Sequence, residues 1–348
     1  MSTVGIVVNP LAGKDIRRLV GNASPVSDST KVGMVRRAIA GAHHGGARRV
    51  LVADDHHGLG RRALAGLELG GTEVLVFGEA LSGDRLDTVA AAAHLAKQDA
   101  GAVVVFGGDG TSRDVVSGWH DVPLVPVSTG TNNVFPVAWD AAAAGTAAGL
   151  VATGAVGLAD VSRRAKRVLV HLTSAGRPDV HDVAVVDAAL VADRFVGSRA
   201  VWHPSTIRRV VAAVATPTAS GLSSLAGQIE PVGRWEPAGA TVDLGPGGRT
   251  VRLPLIPGSY ASVAVATSRR LALGEPVHWT GPGVIALDGE RSLVLLAGDR
   301  ATVTVVGDGP HVIDVEAAML AGVDARSFDI PGGRRGPAPD HQEEPGGD

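Results

Sequence analysis

The sequence has 348 residues, of which 45% are hydrophobic and 19% charged, with a formal net charge of -3 at pH 7. This length predicts two domains of about 100–200 residues each. The near-neutral charge argues against nucleic acid or an anionic membrane as the main partner. The absence of cysteine excludes disulfides, thiolate metal ligands and cysteine nucleophiles.

The N-terminal segment lacks the pattern of an export signal. Met1-Ser2-Thr3 is followed directly by the short apolar run 4–8, without a basic region, a long apolar segment or a cleavage site. No run of about 18 residues has the uninterrupted apolar character that a spanning helix needs. We therefore expect a cytoplasmic protein with no membrane partner.

Apolar runs alternate with helical patterns through the first 155 residues. Strands are predicted at 4–8, 49–53, 72–77, 101–106 and 123–127, and helices at 31–42, 57–69, 84–99 and 133–153. Strands that are apolar throughout and separated by helices are typical of a parallel sheet covered on both faces. The pattern predicts an α/β domain over 1–160, with ligands at the carboxyl ends of its strands.

The rhythm changes after about residue 165, where strand-like runs follow one another through Gly/Pro turns. They lie at 167–173, 182–192, 240–244, 249–256, 259–267, 283–287, 292–297 and 301–306. This half predicts an antiparallel β-sandwich domain over 161–325. A helix is expected over about 204–215, with Ser205 as its N-cap, and a last helix over 311–322 could return to the first domain.

The remaining residues, 326–348, contain little apolar surface. From Pro331 onward the segment is dominated by glycine, proline and charged residues. Such a composition cannot offset the entropy of ordering the chain. We expect a disordered tail.

Gly107-Gly108-Asp109-Gly110-Thr111 follows a predicted buried strand and precedes a short predicted helix. Glycine tolerates positive φ and lets a phosphate approach the main chain without a Cβ in the way. Asp109, at the carboxyl end of a strand, suits a metal-linked or proton-accepting role. A tight strand-to-helix turn with a capping aspartate explains the same residues.

Two further polar loops follow strands of the same predicted sheet, at 9–14 and 128–133. Their hydroxyl, carboxamide and backbone groups can bind phosphate and ribose oxygens, and Lys14 adds a positive charge. An Asn-Pro turn would by itself explain the first of these loops, and a helix N-cap would explain the second. Three polar loops at one sheet edge, however, favour a nucleotide site. Its candidate binding residues are Asn9, Gly13, Lys14, Gly107, Gly108, Gly110, Thr111, Ser128, Thr129, Gly130, Thr131, Asn132 and Asn133.

The order of these motifs resembles the superfamily of NAD kinases, diacylglycerol-type lipid kinases and sphingosine kinases. Within it, the strings 128–136, 195–202 and 286–291 are similar to the acetoin-catabolism protein X branch. The similarity extends to about residue 325. It implies an α/β fold with a Rossmann-like, NAD kinase-like N-terminal domain, a C-terminal β-sandwich, and a site in the cleft between them.

The resemblance also implies ATP as the phosphoryl donor and Mg²⁺ as its companion ion. Residues 107–111 would hold the phosphates, Thr131 and Asn132 would contact the nucleotide, and Asp109 would act as a base or orient Mg²⁺. Glu290 is a second candidate base, although an ordinary Asp-Gly hairpin turn explains its surroundings equally well. The implied reaction is in-line transfer of a γ-phosphoryl group.

The chain departs from the NAD kinase pattern in its second half. NAD kinases carry an asparagine followed by an acidic residue there, whereas no asparagine lies beyond Asn133 in this chain. Asp187, Arg199 and Asp288 are the alternative candidates for substrate contacts. Arg199 suits a phosphate or carboxylate, and a strand-end ion pair is its structural alternative.

Three functions remain open at this point. The first is phosphorylation of a hydroxyl of NAD or of a related nucleotide-like or polar metabolite. The alternatives are a non-catalytic nucleotide sensor and a lipid kinase. The chain departs from the lipid-kinase pattern, because Arg113 and Asp114 stand where those enzymes usually have Asn-Glu. The resemblance implies a homo-oligomer. We expect no metal site formed by clustered protein side chains such as His43-His44 or His56-His57.

Overall fold

The computed structural model describes residues 2–13, 26–78, 82–130, 133–192, 204–219, 221–256, 259–289 and 291–329. Five candidate residues lie outside these ranges: Lys14, Thr131, Asn132, Arg199 and Glu290. Residues 330–348, which make up most of the predicted tail, also lie outside. The roles assigned to all of them stay predictions.

The first half of the chain forms a parallel sheet. Its strands are β1 (Thr3–Val8), β2 (Arg49–Ala53), β3 (Glu73–Phe77), β4 (Ala102–Gly107) and β5 (Pro123–Ser128). Their order is β3-β2-β1-β4-β5, and Val4 of the central strand pairs with Val50 on one side and Ala102 on the other. Every residue of β1 and β4 is buried, as expected when both faces of a parallel sheet are covered.

Helices cover both faces of this sheet. They are α1 (Asp28–His44), α2 (Leu59–Leu64), α3 (Arg85–Lys97), α4 (Asp109–Gly118) and α5 (Ala141–Thr153). The α1 and α5 helices pack on one face, and α3 and α4 on the other. Within the described ranges, no helix is long and apolar enough to cross a bilayer.

The segment before α5 differs from the predicted helix over 133–153. The helix begins only at Ala141, after the N-cap Asp140, whose side chain accepts hydrogen bonds from two backbone N–H groups. Pro136 disfavours a helix interior because it has no N–H to donate. Residues 133–140 are therefore free to form a loop beside α4.

The second half contains two antiparallel sheets. The strands are β7 (Arg167–Ser174), β8 (Arg177–Ala184), β9 (Asp187–Val191), β10 (Ile207–Ala212), β11 (Ala238–Ile256), β12 (Ser259–Ala272), β13 (Pro276–Thr280), β14 (Gly283–Leu287), β15 (Arg291–Leu295) and β16 (Arg300–Val306). Their orders are β12-β11-β10-β9-β14-β15 and β13-β16-β7-β8. A shared core that includes Val170 and Trp279 from one sheet and Val211 and Ile285 from the other joins them face to face. The predicted sandwich is confirmed.

The predicted helix over 204–215 is wrong. A single turn of 3₁₀ helix at Pro204–Thr206 is followed by β10, which pairs with β9 on one side and β11 on the other. Val210 and Val211 are β-branched and fully buried, and such residues pack well on a pleated surface. Pairing with β9 and β11 therefore outweighs the helical preference that the sequence suggested for this segment. A short helix, α7 (Leu222–Gly227), lies later in the chain.

The chain returns to the first sheet after the sandwich. After the short α6 (Leu158–Val161) come β6 (Ser162–Arg164) and, much later, β17 (His311–Ile313), which pairs parallel to β5 and antiparallel to β6. The last helix, α8 (Val315–Asp324), then packs in the α1/α5 core. Phe328 stacks on His44 with ring centroids 5.3 Å apart, so Phe328 packs against α1, although the sequence assigns it to the tail.

The α1 and α5 helices approach each other at backbone distance because glycines line their contact. A Cβ on Gly145 would lie 2.1 Å from the carbonyl oxygen of Ala38, and a Cβ on Gly41 would lie 2.1 Å from that of Ala142. Neither oxygen belongs to a flexible side chain, so the helices would have to separate to admit a methyl group.

Gly145→Ala should therefore lower the free energy of unfolding by about 1–3 kcal/mol, the usual cost of overpacking. Gly33→Ala in α1 is the matched control, because its Cβ would meet only the end of Arg37 at 3.5 Å. The control should gain about 0.5–1 kcal/mol from helix propensity. Urea unfolding measures both changes, and equal stability of the two variants would contradict the close-packing argument.

Candidate functional site

Three polar loops meet at the carboxyl edge of the first sheet, because β1, β4 and β5 are neighbours. The side-chain amide of Asn9, after β1, donates to the Thr111 hydroxyl at 2.9 Å. The Asn9 amide oxygen accepts from the Leu11 N–H at 2.8 Å. Asn9 therefore joins the first loop to the second. Gly13, with φ of +76°, lies at the end of the described part of the first loop.

The third loop packs onto the second as well. Thr129 donates its N–H to the Gly107 carbonyl at 3.2 Å. The Asn133 side chain donates to the Ser128 hydroxyl at 2.7 Å, and this hydroxyl donates to the Gly130 carbonyl at 3.0 Å. The structure thus brings together the described nucleotide-site candidates of all three loops.

The second loop leads directly into the start of α4. The N-cap of α4 is Gly108, which has no side chain that could accept a hydrogen bond from the helix. The first N–H groups of a helix have no acceptor within the helix. A Cβ on Gly107 would lie 2.4 Å from the Thr111 side chain, so glycine is required there. The result is an uncapped helix N-terminus, a favourable place for an anion.

The carboxylate of Asp109, the first residue of α4, faces the loop after β5. It accepts the N–H of Val134 at 3.0 Å and that of Phe135 at 2.7 Å. The aspartate therefore holds the 133–136 segment while it adds a negative charge at the helix start.

Arg113, one turn further along α4, connects this site to the sandwich. Its side chain is 3% exposed and donates to the Leu287 carbonyl at 2.8 Å. The same guanidinium lies 3.7 Å from the Asp288 carboxylate. An arginine on the first domain is thus buried against a turn of the second.

Asp288 is held by the backbone of the segment before β9. Its carboxylate accepts the N–H groups of Val185 at 3.2 Å, Val186 at 2.8 Å and Asp187 at 3.3 Å. Burial raises the pKa of Asp288 to about 7, although the Arg113 charge opposes the shift and the Asp109 charge adds to it.

The Asp288 side chain has 0% exposed area, so we assign it to the scaffold that joins the domains. The substrate contact predicted for it would require that scaffold to open. Asp187 is 4% exposed; its N–H donates to the Asp288 carboxylate, and its carbonyl accepts the Asp288 N–H at 2.9 Å. Both residues therefore support the site from the sandwich side.

Lys31 is a supporting residue that the sequence reasoning missed. It is 0% exposed, and its ammonium donates to the carbonyls of Asn9 at 3.2 Å, Pro10 at 2.6 Å and Ala12 at 2.8 Å. Its spacing from Val35 and Ala38 on the buried face of α1 was the available signal. A lysine on an apolar helix face needs acceptors, and this one finds them in the first loop.

Arg234 is a second missed residue. It lies between β10 and β11 and donates a hydrogen bond to the Val134 carbonyl. Burial lowers the pKa of Arg234, and the Asp109 charge partly offsets that effect. Because about a hundred residues separate Arg234 from its partner, no local pattern could reveal the contact.

Lys31→Met should destabilise the protein by about 1–3 kcal/mol, since it leaves three carbonyls without their donor. Lys31→Arg should recover part of the loss because a guanidinium also donates several bonds. Lys97→Met, at an exposed position in α3, is the control and should stay within about 0.5 kcal/mol of the parent. Urea unfolding checks this, and a Lys31→Met protein as stable as the control would refute the role.

Asp288→Asn tests the buried carboxyl. The raised pKa means that the folded state binds a proton more tightly than the unfolded state, so the Asp288 contribution to stability falls as pH rises from about 4 to 7. The parent should therefore lose about 4 kcal/mol of unfolding free energy relative to Asp288→Asn across that window.

Chemical denaturation at pH 4, 5.5 and 7.5 measures the Asp288 difference. The control is Asp308→Asn, because the Arg167 guanidinium lowers the pKa of Asp308 and places its titration below this window. A parent-minus-Asp288→Asn difference that is constant with pH would show that Asp288 is ionised throughout.

Comparisons with known proteins agree with this architecture. Residues 4–156 match the model of the ATP-NAD kinase N-terminal domain, and residues 166–308 match that of the acetoin catabolism protein X C-terminal domain. Yeast NADH kinase, solved with NADH, aligns over 96% of this chain and 89% of its own with a TM-score of 0.53 and 16% identity. That likeness confirms the predicted fold.

A much closer sequence match covers almost the whole chain. Acetoin catabolism protein X of Cupriavidus necator is 37% identical over 326 residues, which is 91% of this chain and 91% of the relative. The chain therefore belongs to the acetoin catabolism protein X family, a branch of the ATP-NAD kinase-like superfamily.

Proposed function

We propose that this protein is an ATP-dependent kinase that phosphorylates a hydroxyl of NAD or of a related nucleotide-like or polar metabolite. The observation that carries the proposal is the placement of Asp109 at an uncapped helix N-terminus where three polar loops meet. All three loops lie within residues 4–156, the part that matches the ATP-NAD kinase N-terminal domain. The NADH bound in the yeast kinase structure supports a dinucleotide as one acceptor to test.

The described residues fit an ATP phosphate chain. The N–H groups at the start of α4 would bind phosphate oxygens, and the glycines before them leave room for the approach. Thr129 offers a further donor, because its hydroxyl is buried, with 2% of the residue exposed, and has no hydrogen-bond partner among the described residues. A phosphate or ribose oxygen would satisfy it.

A bound Mg²⁺ would neutralise developing charge on the phosphoryl oxygens, and Asp109 is the carboxylate placed to hold it with the nucleotide. Within the described ranges, no three His, Asp or Glu side chains form a metal site by themselves. The protein's own contribution is then mainly positioning and electrostatics. Asp109 and Glu290 both remain candidates for the base that accepts the acceptor proton.

The test is ADP formation by the purified full chain with ATP and Mg²⁺. The acceptors are NAD, NADH, nucleosides, polyols and diacylglycerol vesicles, and ATP binding is measured in parallel. Turnover with a nucleotide-like or polar acceptor supports the proposal. Turnover only with diacylglycerol would make the protein a lipid kinase, and ATP binding without turnover on any acceptor would make it a nucleotide sensor.

Asp109→Asn should lower turnover by at least about 100-fold, because it removes a charge placed at the reacting centre. Asp140→Asn is the matched control: the Asp140 carboxylate also accepts two backbone N–H hydrogen bonds beside a helix start, at 2.8 and 3.2 Å, but it lies outside the three loops. The control should keep full activity. Substantial turnover by Asp109→Asn would remove the role assigned to this carboxylate.

The remaining sequence predictions stand as part of this proposal. They are a cytoplasmic location, a homo-oligomer, and a small-molecule substrate without nucleic-acid or membrane partners. The boundaries at 160 and 325 are likewise proposed, with residues 311–324 packed in the first domain as described above.

A further inference from the structure

One short segment of the first domain is bound from both sides. Val134 and Phe135 donate their N–H groups to the Asp109 carboxylate. The carbonyl of Val134 accepts a hydrogen bond from Arg234 of the sandwich. The guanidinium carbon of Arg234 also lies 5.4 Å from the centre of the Phe135 ring. The position of this segment therefore depends on a residue of each domain.

The Arg234 turn, residues 233–236, is firmly attached to the sandwich. Gly233 and Glu236 bond each other through the Gly233 N–H and the Glu236 carboxylate at 3.1 Å, and through the Glu236 N–H and the Gly233 carbonyl at 3.2 Å. Lys166 donates to the carbonyls of Gly233 at 2.9 Å and Ala238 at 2.6 Å. Arg270 binds the Glu236 carboxylate. Because these contacts fix the turn to the sandwich, the position of Arg234 follows that of the sandwich.

Nearby groups offset part of the cost of burying the Arg234 charge. The Asp109 charge opposes the effect of burial on the pKa of Arg234, and the guanidinium carbon lies 5.7 Å from the centre of the Trp235 ring and 5.4 Å from that of Phe135. Aromatic faces and an opposite charge both offset the cost of burying a guanidinium. The contact can therefore persist at the domain boundary.

We propose that Arg234 is a positioning residue that couples the sandwich to the orientation of the Asp109 carboxylate. Its effect on catalysis rests on the proposed kinase function, but the coupling itself does not. Loss of Arg234 frees the Val134 carbonyl and loosens the two N–H groups that hold Asp109. A displacement of about 1 Å at a reacting group can cost on the order of 100-fold in rate.

The phosphate-binding loops are held by other contacts. Asn9 donates to Thr111 and Asn133 donates to Ser128, and neither hydrogen bond involves Arg234. ATP affinity should therefore survive its removal, while turnover falls. This separation distinguishes a positioning role from direct binding of the nucleotide.

The kinetic test uses the full chain and Arg234→Ala, Arg234→Lys and Arg252→Ala. Arg252 is the matched control because it also lies over an aromatic ring of the sandwich, that of Tyr260 at 5.6 Å, and forms no hydrogen bond or ion pair with the described residues of the three loops. We expect kcat of Arg234→Ala to fall about 10–100-fold with the KM for ATP within about threefold of the parent. Arg234→Lys should recover part of kcat because an ammonium can still donate one bond to the carbonyl.

The second readout does not need enzyme activity. Amide hydrogen exchange at Val134 and Phe135 should accelerate at least about tenfold in Arg234→Ala and in Asp109→Asn, since exchange follows the opening of local hydrogen bonds. The buried β4 amides should not change in either variant, and Arg252→Ala should match the parent throughout. Arg234→Lys serves where the alanine variant fails to fold, with a smaller acceleration expected.

Unchanged exchange at Val134 and Phe135 in both Arg234 variants would overturn the coupling. A raised KM for ATP with unchanged kcat would overturn it too, by making Arg234 a nucleotide ligand. If the parent forms no ADP with any acceptor but Arg234→Ala still accelerates exchange, the kinase proposal fails and the positioning role stands.

Discussion

The candidate site is organised around the two hydrogen bonds that the Asp109 carboxylate accepts from Val134 and Phe135. They join the start of one helix to the loop that follows the neighbouring strand, and they fix a negative charge beside N–H groups that have no helical acceptors. Phosphoryl transfer depends chiefly on positioning and on neutralisation of charge. In the proposed phosphoryl transfer, a carboxylate held by two backbone donors would meet the first need, and a nucleotide-bound Mg²⁺ would meet the second.

The parallel sheet beneath the site brings the three polar loops together. The strands that precede the three loops lie side by side as β1, β4 and β5, so their carboxyl ends share one edge. Close packing of α1 against α5 through Gly41 and Gly145 brings these two helices together on one face of the sheet. Lys31 extends from the same α1 into the first loop. The buried face of α1 thus builds the core and also supports the first loop of the site.

The two domains are joined by polar contacts as well as by an apolar core. Val185 and Val186 of the sandwich pack with the sheet face that carries α4, and their N–H groups bind the buried Asp288. Arg113 and Arg234 cross the boundary in opposite directions. Burying such charges gives little net stability, but removing one partner is costly, which suits contacts that set geometry. The catalytic carboxylate proposed in the first domain is in this way sensitive to the second.

The sequence by itself determined the fold class, the first five strands of the parallel sheet to within one residue at each end, the sandwich, the family and the three loops, because strand periodicity, glycine-rich turns and short motifs are local properties of the chain. It failed where local preference competed with distant partners. The segments 133–140 and 207–212 look helical, but the first binds Asp109 and the second is inserted between two strands. The partners of Lys31 and Arg234 and the burial of Asp288 were decided only by tertiary structure, since each depends on acceptors or charges that the fold brings from far along the chain.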